Sequence, residues 1–507
     1  MNCTARSFSR RSRALLLSAV AAIASLAAPM QAADNPKREF RGAWLHVVGE
    51  VNFRKMSTEQ AKQFISKQIG LLADAGCNAV IFQVRPMADA LYRSQIEDWS
   101  SFLTGQRGKA PSPMWDPMEF AIEEAHKRGM EFHAWLNPYR VSAKGEALPQ
   151  DHLSRKEPHR FFRYNGQTFF DPAYPENREL ITEIVRDIVT RYDVDAIHLD
   201  DYFYPYPSGS SRFDGDGASY AKFGGGMDRG DWRRHNVDLL IEQLHKAIHA
   251  AKPWVRFGIS PFGIWRNSKS DSRGSDTNGL QNYDDLYADI LLWDEKGWVD
   301  YVVPQLYWEL DHSAASSRKL VKWWNDHIHH AQLYIGQDVK RTMDKKDTAA
   351  GRSDELDTKI ELSRSYENVQ GNVWWHGYWV TGNYGGSFDK LAQTYQSTLA
   401  LPPAYGDNIS VAKPSNLHIE QRDGKSYLEW DAPAHGRRQA AKDVVKYVVY
   451  EFYEDERVDL DDAQTIISIT PYTSVLLPDE EDMTRTFVVT SVDRQNRESA
   501  PVTVTIP

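Results

Sequence analysis

The sequence predicts an α/β fold, a (β/α)8 TIM barrel, followed by a smaller all-β sandwich. From residue 40 to about 402, apolar stretches of strand length alternate eight times with stretches of helical periodicity, which favours a parallel sheet surrounded by helices. After Leu401-Pro402-Pro403 the chain changes to short alternating strands separated by turn residues, a pattern typical of a β-sandwich. At 507 residues the chain also exceeds what one hydrophobic core usually sustains.

The barrel strands are recognised as short apolar runs, as expected of strands that are buried on both faces. They are predicted at residues 41–48, 78–86, 131–140, 196–205, 256–266, 301–308, 333–338 and 371–379. Helices are predicted at roughly 57–75, 117–128, 177–192, 232–251, 282–296, 316–330, 354–368 and 387–400. The first helix begins with Ser57-Thr58-Glu59-Gln60, in which the serine hydroxyl and the glutamine amide can form a capping box.

Several of these strands become polar on one side toward their C-terminal ends. Successive side chains of a strand point to opposite faces, so Ile197 and Leu199 face one way, whereas His198 and Asp200 face the other. The same alternation places polar side chains on one face of the second, third and sixth strands. In a TIM barrel the C-terminal ends of the strands carry the active site, and we therefore expect a reactive mouth there.

Asp200 and Asp201, which end the fourth strand, are the strongest chemical signal. Glycoside hydrolysis needs one carboxyl group to protonate the leaving oxygen and a second to attack or to activate water. We assign Asp200 as nucleophile or charge stabiliser, Asp201 as its partner, and Glu309, at the end of the sixth strand, as acid/base. Asp338 and Asp89 are the alternatives to Glu309. A purely structural alternative pairs Asp200 with Arg85 and lets Asp201 cap the loop.

A second set of side chains on the inward parity suits a sugar ligand. Sugar rings present flat C–H faces rimmed by hydroxyl groups, which aromatic and amide side chains can contact. The side chains predicted to bind substrate are Trp44, His46, Gln83, Arg85, His133, Trp135, Asn137, His198, Tyr202, Gln305, Tyr307 and Trp374. Each of these side chains could instead be packed in the core. The prediction depends on the fact that so many residues of sugar-binding type share one face of the barrel strands.

Two other classes of protein remain open at this level. His46, His133, His198 and His376 suggest a metal-dependent hydrolase or deacetylase, which would gather His198 or His133 with Asp200 around one point. None of these histidines has a His-x-His or His-x-x-x-His spacing, so no metal and no other cofactor is expected. A non-catalytic glycan-binding protein would keep the aromatic residues but would bring no acid opposite Asp200.

The N-terminus is predicted to be a cleaved secretory signal peptide at residues 1–33. Four arginines precede an apolar run from Ala14 to Ala28, and small residues follow it. The run is shorter than the ~20 residues that span a bilayer, so retention as an anchor is the weaker alternative. Removing it changes the formal charge from −10 to −14, because it holds four arginines and no acid. That charge argues against nucleic acid as a partner, and we expect a periplasmic chain with no membrane span once processed.

Residues 411–507 form the second predicted domain. The stretches from Tyr427 to Trp430, Val444 to Tyr450, Thr473 to Leu477 and Thr486 to Val492 alternate like strands. The order of proline, tryptophan, Tyr-x-Val-Tyr and a late valine-rich strand resembles a fibronectin type III module. Such modules are usually spacers or binding platforms, so no catalysis is expected in this domain.

Seven blocks of the barrel resemble the glycosyl-hydrolase-like 10 family over about residues 39–402. They begin at Phe40, Phe82, Glu124, His133, His198, Ile259 and Pro304 and read FRGAW, FQVRP, EAHKRG, HAWLNPYR, HLDDYFYP, ISPFGIWR and PQLYW. The resemblance implies an exported hydrolase acting on bacterial cell-wall glycan, on strands stripped of their peptides, with cell-division or envelope proteins as candidate partners. The Asp200-Asp201 block matches the family pattern closely, whereas the role of Glu309 depends on parity alone.

Overall fold

The structure is a computed structural model that describes residues 35–209, 213–433, 443–454, 456–478 and 483–506. The predicted signal peptide at residues 1–33 lies outside the described residues. The chain divides into two compact units, one of residues 40–126 and 130–388, the other of residues 389–507 with 127–129 and the N-terminal residues up to Glu39.

The first unit contains a closed parallel barrel, which confirms the predicted fold class. Its strands are β1 (Phe40–Leu45), β2 (Ala79–Arg85), β3 (Glu131–Leu136), β6 (Ala196–Leu199), β7 (Arg256–Ile259), β8 (Tyr301–Val302), β9 (Gln332–Asp338) and β10 (Val369–Trp375), with the hairpin strands β4 (Phe161–Tyr164) and β5 (Gln167–Phe170) between β3 and β6. The barrel closes in the order β1-β10-β9-β8-β7-β6-β3-β2. Successive strands are therefore neighbours, as right-handed crossovers require.

Helices connect the barrel strands. The longer ones are Thr58–Asp74, Pro117–His126, Pro175–Arg191, Arg229–Ala251, Ser317–His327 and Leu356–Arg364, and the shorter ones are Ser101–Thr104, Leu153–Lys156, Gly217–Phe223, Ile290–Glu295, Val339–Asp344, Gly377–Thr381 and Ser387–Lys390. The helix from Thr58 buries Ala61, Ile65, Ile69 and Leu72, a spacing that forms one apolar stripe. The predicted capping box at its start is present, with reciprocal bonds between Ser57 and Gln60.

Several predicted elements are shorter than the sequence pattern suggests, for example the strands predicted at 196–205 and 256–266, which end at Leu199 and Ile259. Strand β8 covers only Tyr301–Val302, and Gln305 then forms isolated bridges to both neighbouring strands; Pro304 between them has no N–H to donate to a ladder. The predicted helix at 282–296 is a turn at Asn282–Leu286 and a separate helix, Ile290–Glu295, because Tyr287 adopts a left-handed conformation between them. The β4–β5 hairpin was not predicted from the sequence.

The upper part of the barrel interior is a chain of hydrogen bonds beneath the mouth. The indole N–H of Trp44, which can only donate, lies 3.2 Å from Nε2 of His198, so this nitrogen is an acceptor. Ser260 Oγ lies 2.9 Å from the same nitrogen. The proton of His198 is therefore on Nδ1, which donates over 2.9 Å to the hydroxyl of Tyr301. Burial lowers the pKa of His198 well below its usual range, consistent with a neutral ring.

The lower part of the interior continues this chain to a buried ion pair. Having accepted from His198, the Tyr301 hydroxyl donates to Nδ1 of His133 over 2.8 Å. The other nitrogen of His133 then donates to Glu131 over 3.0 Å, and Glu131 pairs with Arg256. Arg256 also donates to the hydroxyl of Tyr334 over 3.0 Å. The interior is thus filled by polar groups that satisfy one another as well as by apolar packing.

The second unit contains two antiparallel sheets that share a core. Their strands are β11 (Ser415–Arg422), β12 (Lys425–Asp431), β13 (Val444–Tyr453), β14 (Ile466–Thr470), β15 (Ser474–Leu476), β16 (Arg485–Asp493) and β17 (Val502–Ile506). One sheet has the order β11-β12-β15 and the other β14-β13-β16-β17. Leu428 and Trp430 of the first sheet pack with Tyr447, Val449 and Phe487 of the second, which makes an all-β sandwich.

Among the described residues, none of the helices has the length and hydropathy needed to cross a membrane.

Gly258 of β7 provides the space for the Tyr301 ring. A Cβ atom at residue 258 would lie 1.9 Å from Cζ of Tyr301, so Gly258→Ala must displace a ring that holds both buried histidines. We expect a loss of about 1–3 kcal/mol in the free energy of unfolding, the usual range for overpacking, measured by chemical denaturation. Gly217→Ala, where a Cβ meets nothing within 4 Å, is the matched control, and equal stability of the two variants would contradict the prediction.

Candidate active site

Asp200 is buried at the C-terminal end of β6 and is held by groups from β3 and from its own loop. The indole N–H of Trp135 donates to one carboxylate oxygen over 3.2 Å, and the side-chain amide of Asn137 lies 3.2 Å from both oxygens. The backbone N–H of Tyr202 adds a longer bond of 3.3 Å. Burial raises the pKa of Asp200, while the charge of Arg140 and these hydrogen bonds act in the opposite direction. The carboxylate is thus fixed in orientation by side chains at the end of β3 and by the backbone of its own loop.

Asp201 is also buried, but it has a different environment. The hydroxyl of Tyr206 donates to its Oδ2, and Gln305 is a second hydrogen-bond partner. Burial, followed by repulsion from the charge of Asp200, raises the pKa of Asp201 to about 7. Burial thus raises the pKa of both adjacent carboxyl groups, and Asp201, with a pKa of about 7, retains a proton near neutral pH.

An aromatic surface lies beside the two acids, and its centre is Trp375. The Trp375 ring stacks with Tyr307 at 6.1 Å between centroids. It meets Trp44 and Trp135 edge to face, each at 6.1 Å. Because Trp135 also donates to Asp200, the aromatic surface and the carboxylates form one continuous site.

The prediction that Trp374 faces the barrel interior is wrong. Val373 packs in the interior core with Trp375 against it, whereas Asn372, on the same parity as Trp374, accepts a bond from Ser363 of an outer helix over 3.0 Å. The register of β10 shifts between Val369 and Asn372, where Gly371 has a positive φ. Beyond this bulge the apolar Val373 and the aromatic Trp375 face the interior, so the parity of the polar residues Asn372 and His376 was the wrong guide.

Three other acids considered from the sequence are occupied by other partners. Glu309 forms an ion pair of 2.6 Å with Lys345 and its side chain is 39% exposed. The hydrogen bond and charge of Lys345 lower the pKa of Glu309, the reverse of what a proton donor needs. Asp338 caps the helix that begins at Val339, and Asp89 pairs with Arg107 at 3.7 Å. The role of Glu309 stays a prediction, and its surroundings favour Asp201 for proton transfer.

Arginines hold the loops that surround the mouth. Arg85 does not pair with Asp200; it binds both carboxylate oxygens of Glu97 at 2.6 and 2.7 Å. Arg107 donates to the carbonyls of Met87 and Val141 at 3.1 and 3.0 Å, which joins the loop after β2 to the loop after β3. Both guanidinium groups are buried, so their hydrogen bonds hold these loops in place around the mouth.

The remaining predicted binding residues divide into two groups. His133, His198 and Gln83 have their polar atoms engaged within the protein, Gln83 by accepting from the Val47 N–H at 3.0 Å. His198 and His133 therefore do not gather with Asp200 as metal ligands. Tyr202 and Gln305, by contrast, lie beside the acids, with Tyr202 partly exposed and Gln305 bonded to Asp201.

Several site residues were not singled out from the sequence. Tyr206 reaches Asp201 from the loop after β6. Arg140 lies 4.3 Å above the Tyr202 ring. Arg140 ends the HAWLNPYR block and Tyr206 follows the HLDDYFYP block, but strand parity gives no direction to side chains in loops. His46 and His376 come together at the edge of the mouth with Glu50, a grouping whose members lie far apart in the sequence.

The closed barrel and its mouth define the chain as a TIM-barrel protein with a buried carboxylate pair beside an aromatic surface.

The chain belongs to the glycosyl hydrolase-like 10 family, and the match to this family covers residues 39–350. It is 36% identical to the glycosyl hydrolase YngK of Bacillus subtilis over 495 residues, 94% of each chain. It is 40% identical to the glycosyl hydrolase DigH of Escherichia coli K12 over 332 residues, 61% of this chain and 75% of that protein.

The raised pKa of Asp201 predicts a pH-dependent stability. Between the ordinary aspartate value of about 3.9 and about 7, the folded chain keeps a proton that the unfolded chain has released, so the free energy of unfolding falls as the pH rises. Asp201→Asn removes this loss. We expect the variant to gain stability relative to the parent between pH 4 and pH 8, by up to roughly 4 kcal/mol.

Chemical denaturation of both proteins at several pH values measures this difference. Asp461→Asn, at an exposed position, serves as the control and should follow the parent. A stability difference between Asp201→Asn and the parent that does not grow with pH would contradict an unusual protonation of Asp201.

Proposed function

We propose that this chain is an exported, periplasmic glycoside hydrolase that cleaves glycosidic bonds in bacterial cell-wall glycan, on strands stripped of their peptides. The observation that carries the proposal is the pair of adjacent buried carboxyl groups at the barrel mouth, of which Asp200 is held by Trp135 and Asn137 and Asp201 has a pKa of about 7. Glycosidases need one carboxyl group protonated and one ionised at the same pH. Membership of a family of glycosyl hydrolase-like proteins supports the reaction class.

In this proposal Asp201 protonates the glycosidic oxygen. Its pKa of about 7 keeps it protonated at and below neutral pH, and a general acid is most effective when its pKa lies near the working pH. Asp200, oriented by Trp135 and Asn137, is the nucleophile or the group that stabilises positive charge at the anomeric carbon. After the aglycone leaves, Asp201 as the carboxylate takes a proton from the attacking water.

The aromatic surface around Trp375 supports a polysaccharide substrate. Flat rings at a mouth bind the C–H faces of sugars, and polar neighbours bind the hydroxyl groups. Tyr202, partly exposed beside the acids, and Tyr307, stacked on Trp375, extend this surface. We propose cell-wall glycan as the substrate because the chain is predicted to be exported and because its sequence resembles this family.

The proposed domain boundaries are 1–33 for the signal peptide, 39–402 for the catalytic barrel and 411–507 for the C-terminal module. The arrangement of three strands in one sheet and four in the other supports a fibronectin type III-like sandwich for that module. In this proposal the module acts as a spacer or binding platform, and cell-division or envelope proteins are its candidate partners.

The decisive experiment incubates the purified chain with peptide-free murein glycan and identifies the released sugars. We expect Asp201→Asn and Asp200→Asn to lower kcat/KM by about 10²–10⁴, the range for loss of acid–base catalysis. Glu309→Gln is expected to retain activity, because Glu309 is exposed and paired with Lys345. Full activity of both aspartate variants would overturn the assignment of the pair, and loss of activity in Glu309→Gln alone would transfer the acid role to Glu309.

The same assignment predicts the pH profile of the reaction. The rate should fall as the pH rises through about 7, because Asp201 then loses the proton that it must donate. The hydrogen bond from Tyr206 lowers the pKa of Asp201, so Tyr206→Phe should move this decline to higher pH. Tyr472→Phe, at an exposed position of the second unit, is the control, and an alkaline limb unchanged in Tyr206→Phe would contradict the assignment.

A further inference from the structure

We propose that His46, His376 and Glu50 form a binding site for a divalent transition-metal cation, best suited to Zn²⁺, at the edge of the barrel mouth. This site is separate from Asp200 and Asp201. It does not depend on the proposed hydrolase function, since none of its three side chains is assigned to the reaction.

The topology of the barrel brings the two histidines together. Strands β1 and β10 pair in parallel, with Ala43 opposite Trp374, and His46 and His376 directly follow the ends of these strands. Their ring centroids lie 4.7 Å apart. Glu50, in the loop after β1, places its carboxylate 3.7 Å from Nε2 of His376. One ligand atom from each of the three side chains can be chosen so that all lie within 4.8 Å of one another.

The histidine nitrogens are available for a ligand. Among the residues that the structure describes, the Nδ1 atoms of His46 and His376 have no hydrogen-bond partner, although the two side chains are only 8% and 6% exposed. A buried polar atom without a partner costs free energy, and a bound cation would remove that cost. Trp375 stacks on His46 at 4.9 Å and Trp379 on His376 at 5.1 Å, so the faces of both rings are covered and their edges are left for a ligand.

The site combines two buried imidazoles with one carboxylate that is open to solvent. Glu50 supplies a negative charge and its side chain is 46% exposed, so the open side of the site faces solvent.

The donor set identifies the class of cation. Two imidazoles and one carboxylate are a common zinc ligand set, with a fourth position left for water or another ligand. Donors around tetrahedral zinc lie roughly 3.4 Å apart, given metal–ligand distances of about 2.0–2.2 Å. The side chains must therefore approach by roughly 1 Å, which rotation of the exposed Glu50 and small ring movements allow. A hydroxyl of a bound glycan could take the fourth position.

The test measures metal binding by the tag-free chain, independently of catalysis. After chelator treatment and dialysis, Zn²⁺ is titrated by calorimetry, and Co²⁺ is added in a parallel sample to follow the visible absorption of a low-symmetry site. We expect one equivalent of Zn²⁺ to bind, with affinity reduced at least about tenfold in each of His46→Gln, His376→Gln and Glu50→Gln. Circular dichroism checks that the variants are folded.

His245→Gln is the matched control, because His245 also faces a second histidine, His249, at 4.3 Å between centroids, outside the proposed site. It should leave Zn²⁺ binding unchanged. The proposal is overturned if no stoichiometric Zn²⁺ binds, if binding survives all three site substitutions, or if only His245→Gln removes it. It is also overturned if the site variants bind murein glycan more weakly while the parent binds no metal, since the histidines would then be sugar ligands.

Discussion

One chain of hydrogen bonds runs through the barrel interior, and it fixes where the protons of its members lie. Trp44 can only donate, and this fixes the proton of His198 on the opposite nitrogen, which in turn fixes the direction of the Tyr301 hydroxyl and the tautomer of His133. The chain ends on Glu131, which Arg256 neutralises. This ordered network lies directly beneath the mouth, so the carboxylates above it have defined positions.

Above this network, Asp200 and Asp201 are neighbours in one sequence block, but their carboxyl groups have different hydrogen-bond partners. Asp200 meets three donors, whereas Asp201 meets Tyr206, Gln305 and the repulsion of its neighbour. The difference arises from the strands on either side, since β3 supplies Trp135 and Asn137 on one flank and the segment after β8 supplies Gln305 on the other. A local motif thus gains its reactivity from groups that lie far away in the sequence.

Much of the fold could be predicted because hydrophobic period and strand parity are local signals. The eight alternations gave the barrel, and parity correctly grouped Trp135, Asn137 and Asp200 on one face. Parity failed where the backbone leaves regular geometry. Beyond the bulge near Gly371, Trp375 faces the interior in place of the predicted Trp374. Beyond Pro304, Gln305 points inward as predicted, but Glu309 does not and pairs with Lys345. Tyr206, Arg140 and Glu50 lie in loops, whose side chains only tertiary contacts can direct.

The buried arginines of the rim have a consequence for how a polymer would enter. Arg85 anchors Glu97, and Arg107 ties the loop after β2 to the loop after β3. Walls held in this way are preorganised, so little conformational entropy is lost when a ligand settles between them. An entrance held in this way discriminates among ligands by their shape, because its walls do not adapt to a poorly fitting one.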